Sequence, residues 1–144
     1  MERKGQSIGF TVKQINNVFE KDLTEQLKTT GITSSQCAVL DFLFQTNKEE
    51  VSQRDVERYL SLKNPTVTGL LKRLDEKGFI LCVPNEKDRR KKNIYLTEKA
   101  YDIRRRMEAD RKRTEKKLTL GMTKKEVEAL KKGLNKVLYN IAEP

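Results

Sequence analysis

The chain has 144 residues, which is about the size of one compact domain and excludes a second, catalytic domain. Charged residues make up 36% and apolar residues 35%, with a mean hydropathy of −0.77, so long solvated helices or a core shared with another subunit are expected. The net charge of +10 favours an acidic partner, and the absence of histidine, with only two cysteines, excludes the common zinc sites and the Cys/His and Ser/His catalytic pairs.

The first two predicted elements are amphipathic helices. Apolar residues recur every three or four positions from Ile8 onward and the pattern stops at Gly31, which indicates a helix with a glycine terminator. Thr33 and Gln36 form a capping-box pattern that predicts a second helix from Ser34 to about Gln45. The buried face of this second helix is predicted to contain Cys37, Leu40, Leu43 and Phe44.

Two short, closely joined helices are predicted next. Ser52 and Asp55 form another capping-box pattern, before a third helix that ends near Leu60. Asn64 suits an N-cap and Pro65 suits the first helical position, because the N–H that proline lacks would have no intrahelical partner there.

The fourth helix is therefore predicted to run from Pro65 to about Lys77, with Gly78 as a left-handed cap. Its buried face is predicted to contain Val67, Leu70, Leu71 and Leu74. Two short helices in tandem indicate a helix-turn-helix.

A charged hairpin is predicted after the fourth helix. Short apolar runs at positions 79–83 and 93–96 flank a charged segment at positions 84–92. A strand, a polar tip and a second strand form a wing-like hairpin.

Two helices complete the chain. Thr97 is placed to cap a fifth helix, whose few apolar positions give way to a heavily charged stretch. Thr123 and Glu126 form a capping-box pattern before a sixth helix, which keeps apolar residues at helical spacing as far as Ile141. The strongest apolar stripes thus lie at the two termini, an arrangement that suits pairing between subunits.

The segment Asn64–Phe79, followed by Asp88-Arg-Arg and by Leu96-Thr97, resembles the multiple antibiotic resistance regulator (MarR) family of winged-helix proteins. The order and separation of these pieces match over nearly the whole chain. The resemblance implies a mainly α fold with a small β-hairpin: a winged helix-turn-helix at 32–97, flanked within one domain (1–144) by dimerisation helices at 1–31 and 98–144. It also implies a homodimer that binds a pseudo-palindromic operator in double-stranded DNA, as a repressor released by a small-molecule effector.

The same resemblance implies which residues contact DNA. In this family the fourth helix enters the major groove, which carries over here to Asn64, Pro65, Thr66, Thr68, Gly69, Lys72 and Arg73. The start of the third helix adds Ser52, Gln53 and Arg54, and the wing adds Lys87, Asp88, Arg89, Arg90, Lys91 and Lys92. Asp88 and Arg90 match an aspartate and an arginine near the wing tip, so Arg90 is expected to reach the minor groove while Asp88 orients the loop.

The residue types agree with these roles. Threonine hydroxyls and methyls suit phosphate oxygens and thymine methyls, Lys72 and Arg73 suit phosphates, and Gly69 permits close approach. Five basic and two acidic residues between Glu86 and Lys92 give the wing a charge of +3. A narrow minor groove attracts such arginines.

Other residues have a structural interpretation beside a functional one. Cys37 and Cys82 are either redox sensors or buried thiols, and the second is favoured because the sensing cysteine of relatives lies in the first helix, which contains none here. The basic stretches 104–106 and 111–113 form either a salt-bridged helix face, which is favoured, or phosphate contacts. Five aromatic residues either line a cleft for a small aromatic or phenolic effector or, by default, pack in the core: Phe10, Phe19, Phe42, Phe44 and Tyr59.

Three classes of function are to be distinguished for a chain with these features. A DNA-binding transcriptional regulator is favoured, and a protein-interaction module whose basic helices bind an acidic partner is the second hypothesis. An enzyme is disfavoured because the sequence has no histidine, no glycine-rich phosphate loop and no metal-binding cluster. We predict a cytoplasmic protein with no cofactor and no membrane partner.

Overall fold

Between residues 4 and 142, which are the residues that the structure describes, the computed structural model contains six helices and three short strands. The outermost residues of the predicted domain, 1–3 and 143–144, lie outside this range. The elements in chain order are α1 (Ile8–Leu27), α2 (Ser34–Gln45), β1 (Val51–Ser52), α3 (Gln53–Leu60), α4 (Asn64–Glu76), β2 (Ile80–Pro84), β3 (Lys92–Leu96), α5 (Glu98–Leu118) and α6 (Lys124–Ile141). This architecture confirms the predicted fold class.

Hydroxyl side chains fix the start of four of the helices. The N-cap residues Ser7, Thr33, Ser52 and Thr123 each accept a hydrogen bond from a backbone N–H in the first turn. At α2 and α3 the capping box is reciprocal, as predicted, because the third residue of the helix also accepts from the N-cap backbone. At α6 the structure shows the threonine half of the predicted box, in which Thr123 accepts from the Glu126 backbone N–H at 3.1 Å.

The predicted start of the fourth helix is wrong by one residue. Lys63 occupies the N-cap position and Asn64 lies inside the helix. The Asn64 amide instead donates to the Glu57 carboxylate of α3 at 3.1 Å, so its side chain ties the two helices of the helix-turn-helix together. Thr97 does occupy the N-cap position of α5, but its hydroxyl donates to the carbonyl of Gly78 rather than capping its own helix.

The sheet has three antiparallel strands in the order β1-β3-β2. The sequence predicted β2 and β3 but not β1, whose Val51 and Ser52 pair with Ile94 and Asn93. Pairing of Pro84 with Lys92 extends both wing strands by one residue into the segment that was predicted to be the tip.

The core lies in the winged helix-turn-helix and largely excludes the terminal helices. Helices α2 and α4 supply half of the buried residues, including Val39, Leu40 and Leu74, and α5 adds Ala100 and Met107. By contrast, α1 buries only Leu27 and α6 buries no side chain among its described residues. None of the described helices is both long and apolar enough to cross a bilayer.

Candidate nucleic-acid interface

Helix α4 has one buried face and one exposed polar face. Val67, Leu71 and Leu74 pack into the core and Leu70 is half-buried, as the sequence predicted. The residues expected to contact DNA are all exposed: Asn64, Pro65, Thr66, Thr68, Gly69, Lys72 and Arg73. Gly69 lies near the middle of the exposed face, and a Cβ added there would meet no atom within 4 Å. Internal packing therefore does not require glycine at this position.

Hydrogen bonds hold α3 against the start of α4. The Gln53 amide donates to the Thr68 hydroxyl at 2.8 Å, and that hydroxyl donates to the Asn64 carbonyl at 2.9 Å. The Asn64 amide donates in turn to Glu57. These contacts give Gln53 and Asn64 a positioning role within the helix-turn-helix that the sequence analysis did not anticipate.

The wing tip is an ordered turn organised by Asn85 and Asp88. The Asn85 carboxamide oxygen accepts from the backbone N–H groups of Lys87 and Asp88 at 2.9 and 3.1 Å. Asp88 accepts from both the backbone N–H and the guanidinium of Arg90, each at 3.1 Å. These hydrogen bonds from Arg90 hold the pKa of Asp88 below its ordinary value, so the carboxylate is ionised at neutral pH.

Arg90 itself extends into solvent, with 91% of its side chain exposed. Asp88 thus holds the guanidinium of Arg90 through both Nε and Nη2, so the arginine head group is oriented by the wing tip while it stays exposed. The Asx turn at Asn85 was missed by sequence reasoning, although an asparagine before a charged loop is a recognised turn signal.

An open cleft of about 750 Å³ lies between α3, the start of α4 and the wing. Seven of the predicted site residues line it: Ser52, Gln53, Arg54, Asn64, Arg90, Lys91 and Lys92. Lys48 is a further cation in this lining, which sequence reasoning missed because it belongs to an irregular loop. With Glu50 and Glu57, the lining contains five basic and two acidic residues, so the cleft attracts anions.

The remaining predicted residues lie on either side of this cleft. Pro65, Thr66, Thr68, Gly69, Lys72 and Arg73 belong to α4, while Lys87, Asp88 and Arg89 form the wing tip. The structure therefore places two exposed polar surfaces beside one basic cleft.

The two cysteines are free thiols outside this surface. Burial raises the pKa of Cys37 to about 12, and the neighbouring Asp41 carboxylate adds to the effect. Burial also raises the pKa of the half-buried Cys82. Both thiols are protonated at neutral pH and are therefore poor nucleophiles, which agrees with the structural interpretation.

The basic stretches of α5 largely form the predicted salt-bridged face. Arg104 pairs with Glu108 at 2.9 Å, and Arg106 and Arg113 both pair with Asp110. Arg111 lies 3.7 Å from Asp41 of α2. In the protein without DNA, these guanidinium groups are therefore already in ion pairs with carboxylates.

A smaller cavity of about 230 Å³ lies between α1, α2 and α5. Of the five aromatic candidates, only Phe19 lines it. Phe42 and Phe44 are buried in the core, as the default interpretation predicted. That interpretation is wrong for Phe10, which is exposed on α1, and for Tyr59, which stacks one ring face on Phe42 at 4.5 Å between centroids and stays 59% exposed.

A helix-turn-helix whose second helix exposes a polar face, beside a basic β-hairpin, defines a winged helix-turn-helix protein. Residues 22–107, more than half of the chain, match the family described as "Transcriptional regulator SarA/Rot". The chain therefore belongs to the SarA/Rot family of transcriptional regulators, whose fold is that of the MarR-type winged-helix proteins.

Individual relatives agree with this assignment. The crystal structure of the transcription regulator MarR from Oenococcus oeni PSU-1 is 28% identical and superposes with a TM-score of 0.79, covering 92% of this chain and 99% of that one. The S. aureus MepR–DNA complex is 23% identical and shares the fold, with a TM-score of 0.86 over 96% of this chain and 99% of MepR.

A curated relative gives a shorter match. The transcriptional activatory protein BadR of Rhodopseudomonas palustris is 33% identical over 95 residues, which is 65% of this chain. The matched part spans about half of BadR, 54% of its length. The O. oeni protein and BadR are both named as transcriptional regulatory proteins, which, with the family match, confirms the predicted class of function.

Proposed function

We propose that the protein binds double-stranded DNA through the exposed face of α4 and the wing. The observation that carries this proposal is the basic cleft, with the open face of α4 on one side and the ordered arginine of the wing on the other. Thr66, Gly69, Lys72 and Arg73 face the major groove, and Arg90 enters the adjacent minor groove. Ser52, Gln53, Arg54, Lys91 and Lys92 lie where a phosphate backbone would cross the cleft.

The proposal includes a homodimer built from the terminal segments 1–31 and 98–144, with the lobe 32–97 binding DNA. Support comes from the exposed apolar residues of the terminal helices, which an isolated subunit would leave in contact with water: Ile8, Phe10, Val12, Ile15, Val18, Leu130, Leu134, Leu138 and Ile141. A two-fold dimer would present two copies of α4 about 34 Å apart, to successive major-groove faces of a pseudo-palindromic operator.

Repression is the proposed sign of regulation. A dimer that engages two successive major-groove faces and the adjacent minor grooves covers about two turns of DNA, which is enough to exclude polymerase from an overlapping promoter. BadR is named as an activatory protein, so the sign is to be measured directly. Purified protein added to a transcription reaction on its own operator should reduce the transcript, and an increase would overturn this part of the proposal.

Release by a small-molecule effector is proposed at the cavity between α1, α2 and α5. Its wall combines apolar side chains, such as Phe19 and Leu23, with four carboxylates and a single arginine: Glu20, Asp41, Asp110, Glu115 and Arg111. Asp41 and Asp110 already pair with arginines of α5, so Glu20 and Glu115 supply the negative charge of this wall that no described ion pair offsets. This lining favours an aromatic or aliphatic ammonium over a phenolate.

The effector proposal is tested with probes of opposite charge on one scaffold. Benzylamine should shift operator affinity, while benzoate at the same concentration should not. A response to benzoate alone would contradict the assignment of charge.

DNA recognition is tested by selecting genomic fragments bound by the protein and then comparing variants on the recovered operator. Arg90→Ala should weaken operator binding by about tenfold and leave the fold intact. The slope of log K against the logarithm of the salt concentration should fall by about the amount that one phosphate contact contributes. Arg105→Ala, at an exposed position on α5, is the matched control and should leave both values unchanged. Unchanged affinity in Arg90→Ala would sink the wing assignment, and failure to recover any DNA would favour the protein-interaction module.

A second variant separates charge from geometry at the wing. Asp88→Asn removes one negative charge but also removes the carboxylate that holds Arg90. If Arg90 must be oriented, the ratio of operator to random-DNA affinity should fall while random-DNA affinity rises. An unchanged or higher ratio would show that only the wing charge matters.

A further inference from the structure

Lys77, at the end of the recognition helix α4, contacts the end of the α1 segment and α2 through its side chain, and α5 through its backbone carbonyl. The Lys77 ammonium donates to the Gly31 carbonyl, just after α1, at 2.6 Å, and to the Gln36 carboxamide oxygen in α2 at 2.8 Å. Gln36 is only 1% exposed, and the same oxygen accepts from the Thr33 backbone N–H. Lys77 therefore satisfies a buried polar group that also belongs to the capping box of α2.

The backbone carbonyls of Lys77 and Gly78 accept hydrogen bonds from side chains at the start of α5. Lys99 donates from its ammonium to the Lys77 carbonyl at 2.5 Å and lies 4.5 Å from the centre of the Phe79 ring. The Thr97 hydroxyl donates to the Gly78 carbonyl at 2.6 Å. Gly78, with φ of 82°, makes this close approach possible by turning the chain sharply after α4.

These contacts meet at one point, which we name the Lys77 junction: Gly31, Gln36, Lys77 and Lys99. Its members come from the end of the α1 segment, from α2, from the C-terminus of α4 and from the start of α5. The other described side-chain hydrogen bonds of α4 stay within α4 or join it to α3, so the Lys77 junction is where α4 is bonded to both the α1 segment and α5.

We infer that Lys77 is a positioning residue that sets the orientation of the recognition helix relative to the dimer arms, and thereby the half-site spacing that the dimer accepts. The inference rests on the proposed function. The physical reason is that a helix held by apolar packing alone can slide or tilt by small amounts. Charge-assisted hydrogen bonds are directional and therefore fix the position of the helix end. Lys77 would act through geometry and not by touching a phosphate.

The test uses the full chain and the selected operator, together with two operators whose central spacer is one base pair longer or shorter. Wild-type protein should discriminate against both altered spacers. Lys77→Met keeps the aliphatic stem but removes the donors, and its affinity for the natural spacing should fall by about tenfold, as expected for losing a charged hydrogen bond that preorganises binding. The ratio of its affinity for the natural spacing to its affinity for an altered spacing should fall toward one, while the salt dependence of binding stays unchanged.

Three further variants make the result specific. Lys77→Arg, which keeps the charge and the donors, should restore spacer discrimination. Lys99→Met is a milder substitution at an exposed residue and should reduce discrimination in the same direction if Lys77→Met does not fold. Lys72→Met, on the exposed face of α4, should lower affinity for all three spacers alike and reduce the salt dependence by about one contact.

The outcomes separate this inference from the proposed function. Unchanged spacer discrimination in folded Lys77→Met, or in Lys99→Met, would overturn the positioning role. A reduced salt dependence in Lys77→Met would also overturn it, by making Lys77 a phosphate contact. If Lys72→Met leaves the salt dependence unchanged, the DNA-binding face of α4 is itself misassigned.

Discussion

At the scale of single residues, Gly69 is predicted to favour DNA binding at a cost in stability. Glycine inside a helix costs about 0.5–1 kcal/mol relative to alanine, and the space for a methyl group is open here. We therefore expect Gly69→Ala to raise the free energy of unfolding by about that amount while lowering operator affinity, because the methyl group would project toward the DNA backbone or bases. Denaturant titration and a binding isotherm measure the two effects.

Gly133→Ala is the matched control for this residue, since Gly133 also lies inside a helix with open space around its Cα. It should raise stability similarly and leave operator affinity unchanged. If Gly69→Ala binds DNA as well as wild type, close approach of the DNA backbone or bases at this position is excluded.

Single residues also show where sequence reasoning ends. The exposure of Thr66, Lys72 and Arg73 follows from helical periodicity and was predictable. The bonds from Gln53 to Thr68 and from Lys77 to Gly31 were not, because they join residues 15 and 46 positions apart through side-chain conformations that no local pattern encodes. The resemblance supplied the DNA-contact roles, and those roles remain predictions.

At the scale of elements, α3 depends on its capping box. Ser52 and Asp55 exchange hydrogen bonds with each other's backbone, and Lys48 adds an ion pair to Asp55 at 2.7 Å. Ser52→Ala should lower the free energy of unfolding by about 1 kcal/mol, since the first turn loses an acceptor. Ser35→Ala, at an exposed position in the first turn of α2, is the control and should cost less.

The same capping box predicts a pH dependence. Partial burial acts to raise the pKa of Asp55, but the hydrogen bonds from Lys48 and Ser52 outweigh it, so the pKa lies below its ordinary value. A carboxyl whose pKa is lowered by folding stabilises the protein above its unfolded pKa, about 4, and this contribution is lost as the pH falls through the folded pKa. The stability difference between wild type and Asp55→Asn should therefore shrink on acidification below about pH 4.

Elements with strong local signals were predicted well. The capping boxes at Thr33 and Ser52 and the glycine at 78 located helix ends to within about a residue. Strand β1 was missed because two residues carry no periodicity, and it exists only because β3 supplies its hydrogen-bond partners. Asn64 was misplaced because its side chain is engaged by Glu57, a tertiary contact that outweighs its preference for capping.

At the scale of the whole molecule, the distribution of apolar residues argues for more than one subunit. The sequence showed apolar stripes at both termini, and the structure leaves them exposed: Leu134 is 49% and Leu138 51% accessible. Burying such a side chain is worth about 1.5–3 kcal/mol, so several together can drive association. The identity of the partner cannot be read from one chain, and the homodimer that the family resemblance implies remains a prediction.

The apolar face of α6 is predicted to hold the dimer together. The double variant Leu134→Glu/Leu138→Glu places two charges on the apolar face of α6 and should shift the protein from dimer to monomer in sedimentation at micromolar concentration. Because the core lies in the lobe, the helix-turn-helix should remain folded, and operator affinity should fall steeply as the two half-sites are no longer bound together.

Lys132→Glu, on the opposite face of the same helix, should leave the dimer intact. If the double variant stays dimeric, α6 is not part of the dimer interface. If the wild-type protein is monomeric at these concentrations, the proposed dimer is wrong and each lobe would have to bind DNA alone.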